Sequence, residues 1–192
     1  MVDTEKVNGL FGKYTDEGRV LIARAWEIAE TNLEGQLRGN GHPFIEHPIN
    51  VARIVSDEIG LPAECVAAVF LHEAHRFRDC EEPLTDFPAD VLAMVDGLDK
   101  IASIKPKDTK LEAENYKRLI VSYSRDPRVT VIKLADRLEI MRSLDIFPKS
   151  SRERKTLETL LLYIPLAHQL GLYNMKSEME DIYFRYADPE QY

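Results

Sequence analysis

The sequence predicts an all-α fold, and three observations carry that expectation. Apolar residues recur at three- and four-residue spacing through most of the chain. Gly and Pro punctuate those stretches and form no linker, and no internal repeat or low-complexity tract occurs. Apart from short runs such as 129–132, nothing reads as a strand. Seven or eight helices are expected, packed around the third and the sixth. With 192 residues and 44% apolar composition, the chain can build one compact domain with a full core.

Residues 1–15 read as a flexible leader. The first helix is expected from Thr15 or Asp16, where Val20, Ala23, Ala25, Ile28, Ala29 and Leu33 follow a helical period. Residues 38–43 form a loop by their Gly, Asn and Pro content. A second helix is entered near Pro48, with Ile49, Ala52, Ile54, Val55 and Ile59 on its apolar side, and Gly60 can end it in a left-handed cap. Leu61-Pro62 opens the third helix. It is apolar nearly all round from Val66 to Leu71, so it is expected at the centre, and it closes at His72-Glu73. Polar residues 76–85 read as a loop. Further helices are expected over 88–102, 110–125, 128–146, 151–170 and 172–186, with breaks at Pro106, Asp126-Pro127, Phe147-Pro148 and Gly171.

The formal charge is −8, from 33 acids and 25 bases. That balance argues against a nucleic-acid binder held by phosphate contacts, while leaving room for a small basic pocket. Cys65 and Cys80 stand in no Cys-x-x-Cys spacing, which fits reduced thiols. No apolar signal core or membrane-length apolar run is present, so a soluble cytoplasmic protein without a membrane partner is expected.

Chemistry is concentrated in a few polar residues on apolar helices. His47 precedes Pro48 at a helix start, His72-Glu73 closes the buried third helix, and Asp136 lies within Lys133-Leu134-Ala135-Asp136-Arg137-Leu138. A carboxylate among apolar neighbours is costly unless it is paired or binds a metal. Two imidazoles and two carboxylates suit Mn²⁺, Fe²⁺ or Zn²⁺. Taken alone, a His-Glu pair at a helix end is more often a cap or surface feature than a ligand pair. Asp136 can equally pair with an arginine.

Long collinear stretches bear on that choice. They include Gly41-His42-Pro43-Phe44-Ile45-Glu46-His47-Pro48, Leu71-His72-Glu73, Val95-Asp96-Gly97-Leu98-Asp99-Lys100-Ile101 and Ala113-Glu114-Asn115-Tyr116. Val131 to Leu138, Tyr163 to Gly171 and Lys176 to Asp181 complete the set. From about Ala23 to Tyr192 the chain resembles the N-terminal hydrolase domain of the RelA/SpoT family, which controls the alarmone (p)ppGpp. The resemblance implies an HD-type helical bundle around a buried metal and nucleotide site. It implies one Mn²⁺ held by His47, His72, Glu73 and Asp136, which acidifies a water that releases pyrophosphate from the 3′-diphosphate. It assigns substrate contacts to Arg38, Phe44, Asp136 and Ser143, with Arg38 stacking on guanine. The last stretch resembles the long members, in which a synthetase domain follows. An excised piece of a longer protein is therefore expected, with residues 16–192 as the hydrolase-like domain.

This sequence departs from the family at several places. The HD dyad is His72-Glu73, which keeps a carboxylate but moves its oxygen by about a bond length. The Glu-Asp pair that positions the water is Arg76-Phe77, and neither side chain can act as a base near neutral pH. Losing a positioned base costs roughly 10²- to 10⁴-fold in rate. The family's His-Asn becomes Glu139-Ile140, its Tyr becomes Phe44, and a basic residue becomes Gly39. A shorter loop can bring Asp79, Glu81 or Glu82 to the missing acids, although a charged loop is usually just solvated. His75 is expected on the surface rather than as a ligand, and His168 is expected to be structural. The leading expectation is a degenerate hydrolase domain that regulates an attached synthetase domain. The alternatives are an active Mn²⁺-dependent (p)ppGpp hydrolase and a scaffold module with neither metal nor nucleotide.

Overall fold

A computed structural model describes residues 5–76, 86–103, 120–121 and 125–187. Among them every regular element is helical; one isolated antiparallel bridge pairs Leu37 with Pro43. The elements are α1 (Glu5–Phe11), α2 (Asp16–Asn32), α3 (Glu46–Arg53), α4 (Ala63–Ala74), α5 (Ala89–Ser103), α6 (Pro127–Arg142), α7 (Lys149–Glu158), α8 (Ile164–Gln169) and α9 (Tyr173–Ala187). Wide π-type turns extend α3 over Ile54–Ile59 and join α7 to α8 over Thr159–Tyr163. The expected helix 110–125 lies almost wholly outside the described residues.

Several element ends follow from single residues. Thr15 caps α2, its side chain accepting from the Gly18 amide at 3.2 Å. Gly60 stops the α3 extension at φ 81°, a left-handed position that favours glycine. Asp126-Pro127 begins α6 rather than merely breaking the chain. Asp126 accepts from the Arg128 amide at 3.0 Å, and Pro127 takes the first turn, where no intrahelical N–H is needed.

Helix α4 is the centre. Nine of its residues between Ala63 and Ala74 are apolar and buried, and it packs most extensively on α2. Trp26 of α2 stacks on Phe70 of α4 at 5.2 Å between centroids, and Phe11 meets both rings edge-on. The expected flexible leader is thereby corrected. Residues 5–11 form α1, whose Val7 and Phe11 are buried in this cluster, so apolar anchoring outweighs the short helix's weak intrinsic stability. Helix α6 is the second interior helix, buried on most sides and touching α3, α4, α5 and α9. No helix among the described residues is long and apolar enough to cross a membrane.

Candidate metal centre

Three helices bring the predicted ligands to one point. His47 comes from the first turn of α3, His72 and Glu73 from the last turn of α4, and Asp136 from the middle of α6. Each offers one atom inward and gives another to an outer partner. His47 Nδ1 lies 2.6 Å from Glu139 Oε2, which leaves Nε2 facing the centre. His72 Nδ1 lies 2.7 Å from Asp99 Oδ1. Arg76 Nη1 donates to Glu73 Oε2 at 2.8 Å, and Lys133 Nζ donates to Asp136 Oδ2 at 2.6 Å.

The inward atoms crowd together. Glu73 Oε1 is 3.8 Å from both His47 Nε2 and His72 Nε2. His47 Nε2 and Asp136 Oδ1 are 3.1 Å apart, but they are not aligned for a hydrogen bond, and each is buried without another partner. Two buried polar atoms without hydrogen-bond partners on one spot suit the donors of a cation site. One donor atom from each of His47, Glu73 and Asp136 lies within 4.8 Å of the others, whereas His72 stands at the edge of that compact group. The mix of imidazole and carboxylate donors fits a divalent metal of intermediate hardness.

The electrostatics agree with this packing. Burial disfavours a charged His47 ring, but Asp136, Glu139 and Glu73 more than reverse it and raise its pKa to about 9. Burial also opposes ionisation of Glu73, yet His47, Arg76 and His72 hold its carboxyl below the usual range. Asp136 is held lower still, despite burial, chiefly by Lys133 and His47. Negative charge is thus kept at the centre.

A cavity of about 440 Å³ opens on the ligand set, and four cations line it: Arg76, Lys133, Arg137 and Lys155. The Arg137 guanidinium lies 4.1 Å from the Tyr163 ring centre and pairs with Glu158 at 2.9 Å. Burial and then the charge of Arg137 push the Lys155 pKa down.

The predicted substrate contacts are divided. Asp136 lines this cavity, whereas Arg38 and Ser143 line a second one of about 620 Å³ together with Glu139 and Asn50. Arg38 donates to both Glu139 oxygens, at 2.7 and 3.2 Å, and to Ser143 Oγ at 2.9 Å, and its side chain is only 7% exposed. Phe44 lines neither cavity and lies 5.5 Å from the His47 ring and 5.1 Å from the Arg76 guanidinium. Phe77, Asp79, Glu81 and Glu82 lie outside the described residues. His75, expected on the surface, is half-buried in the first cavity's wall, 3.9 Å from Asp99. His168 is exposed, against the edge of Tyr173.

Sequence reasoning missed the outer partners Asp99, Lys133 and Glu139. Lys133 and Glu139 stand three residues either side of Asp136, so the helical repeat placed them on its face and could have found them. Asp99 carried no comparable local signal, because α5 reaches His72 only through packing on α4.

Residues 25–173 match the family described as HD domain. Over 192 residues, 99% of this chain, it is 38% identical to a guanosine-3′,5′-bis(diphosphate) 3′-pyrophosphohydrolase of Aquifex aeolicus. It is 35% identical over 195 residues to the bifunctional (p)ppGpp synthase/hydrolase SpoT of Escherichia coli. A GTP pyrophosphokinase of Streptomyces coelicolor is 38% identical over 175 residues, 89% of this chain. The chain spans 27%, 27% and 20% of these relatives, so each is several times longer. With the helical bundle, the inward ligand set and these matches together, the chain belongs to the HD-domain family as a hydrolase domain of RelA/SpoT type.

Proposed function

We propose that this chain is a (p)ppGpp 3′-pyrophosphohydrolase domain that keeps its metal centre and nucleotide diphosphate site, hydrolyses poorly, and regulates an attached synthetase domain. One observation carries the loss of rate. At the position of the family's catalytic acids stands Arg76, whose guanidinium is bonded to Glu73 in the cavity wall. A guanidinium stays protonated and cannot accept a proton from water. The other carboxylates among the described lining residues are already engaged, Asp99 with His72 and Asp136 with Lys133.

His47, His72, Glu73 and Asp136 would hold the metal, with Mn²⁺ as the expected ion. When bound, it would polarise the 3′-diphosphate and acidify a water. Lys133, Arg137, Lys155 and Arg76 supply the positive wall that a diphosphate needs. Arg38 is tied to Glu139, so guanine recognition by stacking on Arg38 requires that pair to shift. The greater length of relatives named as synthases and hydrolases supports a further domain in the native protein, through which a folded but slow domain can bias its neighbour. The intact inward set also favours a second reading, an active Mn²⁺-dependent hydrolase.

The test is to incubate the purified chain with Mn²⁺ and ppGpp, follow pyrophosphate release, and measure ppGpp binding in parallel. The expected result is binding, with release at least about 10²-fold slower than from the Aquifex relative under the same conditions. Release as fast as that relative's, and abolished by His72→Ala, would establish the second reading instead. A chain that binds neither Mn²⁺ nor ppGpp would leave only a scaffold role.

A further inference from the structure

Glu139 is assigned no role by the family pattern, which has histidine there, yet it is among the least exposed charged groups described, at 3%. It accepts from four donors or donor-bearing groups: His47 Nδ1 at 2.6 Å, Arg38 Nη1 at 2.7 Å and Nη2 at 3.2 Å, and Asn50 Nδ2 at 3.3 Å. A carboxylate buried this deeply is tolerable only because its lone pairs are filled.

We infer that Glu139 is the positioning residue of the metal centre: it holds His47 with the proton on Nδ1 and the Nε2 lone pair aimed inward, and it spends the Arg38 guanidinium to do so. This rests on the metal reading above. An ionised carboxylate only accepts, so at 2.6 Å the proton must lie on Nδ1. In the neutral ring, the form that a metal would select over the charged one, the lone pair is then on Nε2, the atom that has no hydrogen-bond partner and lies near Glu73 and Asp136. Metal-bound histidines are typically fixed in this way by an outer carboxylate. Asp136 and Glu139 are three residues apart on α6, so one helix places a carboxylate beside each ring nitrogen of His47. Arg38 joins His47 and Asn50 in filling the lone pairs of Glu139 in the interior. The wall of the second cavity and the orientation of a metal ligand therefore share one carboxylate.

The experiment measures Mn²⁺ affinity from the electron paramagnetic resonance signal of free Mn²⁺, on the whole chain, with thermal melts as the folding control. Glu139→Gln alone leaves Arg38 buried without its partner and can unfold the protein. The decisive comparison is therefore Arg38→Gln against Arg38→Gln/Glu139→Gln. Arg38→Gln is expected to bind Mn²⁺ within a few-fold of wild type, and the double variant about 10- to 100-fold more weakly. A purely structural Arg38–Glu139 pair would instead give equal affinities once both members are neutral. That equality, in folded protein, overturns the positioning role while leaving the metal reading intact. Wild-type protein that binds no Mn²⁺ overturns the metal reading, and the positioning role falls with it.

Discussion

At His47, His72, Glu73 and Asp136, every side chain turns one atom to a common point and secures its other atom on a neighbour. One helical turn beyond Glu73, Arg76 does the reverse: it sends its charge back onto a ligand, and no carboxylate stands where the family has one. The two regions differ in what holds them. The inward set is buried or nearly so, and each member's outer atom is bonded to a neighbouring side chain. Arg76 is 45% exposed and stands at the end of α4, where a change of residue disturbs little packing. Ligand geometry is therefore tied to fold stability, and proton handling is not. A chain can lose the second and keep the first.

The largest expected effect restores what the wall lacks. Arg76→Glu combined with Phe77→Asp should raise Mn²⁺-dependent pyrophosphate release by about 10²- to 10⁴-fold. The same assay as above checks it. Unchanged release would break the comparison, because the deficit would then lie in the metal half.

A stability contrast comes next. Asp136→Ala removes the partner of Lys133, a lysine whose pKa burial would lower and Asp136, with Tyr163 and Glu73, raises. Denaturant unfolding should show a loss of about 3–5 kcal/mol, together with loss of Mn²⁺ binding. Arg76→Ala takes a half-exposed guanidinium from buried Glu73, whose carboxylate keeps His47 and His72 nearby, so a smaller loss of about 1–2 kcal/mol is expected. Equal costs for the two would mean that the centre and its wall are not held differently.

Much of this arrangement was legible in the sequence. The period of apolar residues gave the helices, and burial of α4 followed from its nearly uninterrupted run from Val66 to Leu71. The resemblance named His47, His72, Glu73 and Asp136 before their geometry was known. Residues whose meaning depends on tertiary approach were not legible. Glu139 reads as a lost histidine until Arg38, a hundred residues away in sequence, is seen bonded to it. Asp99 reads as a solvated acid until α5 packs on α4. Phe11 lies in a stretch too short to announce a helix, and only the Trp26–Phe70 stack explains its burial.

Gly39 is the smallest lever on the same contrast, because it fixes the loop that carries Arg38. A Cβ at this position would lie 2.1 Å from the carbonyl oxygen of Ile146, a backbone atom that cannot swing away. The basic residue usual in the family therefore does not fit this backbone, and the loop sits closer to the turn at Ile146 that follows α6 than a side chain would allow. Gly39→Lys should cost about 1–3 kcal/mol in denaturant unfolding, as overpacking does. It should pull Arg38 from Glu139 and open the second cavity, so ppGpp binding changes more than Mn²⁺ affinity does. An unaltered unfolding midpoint would mean that the loop yields freely, and that Arg38 is held by its bonds to Glu139 and Ser143 rather than by the packing beneath Gly39.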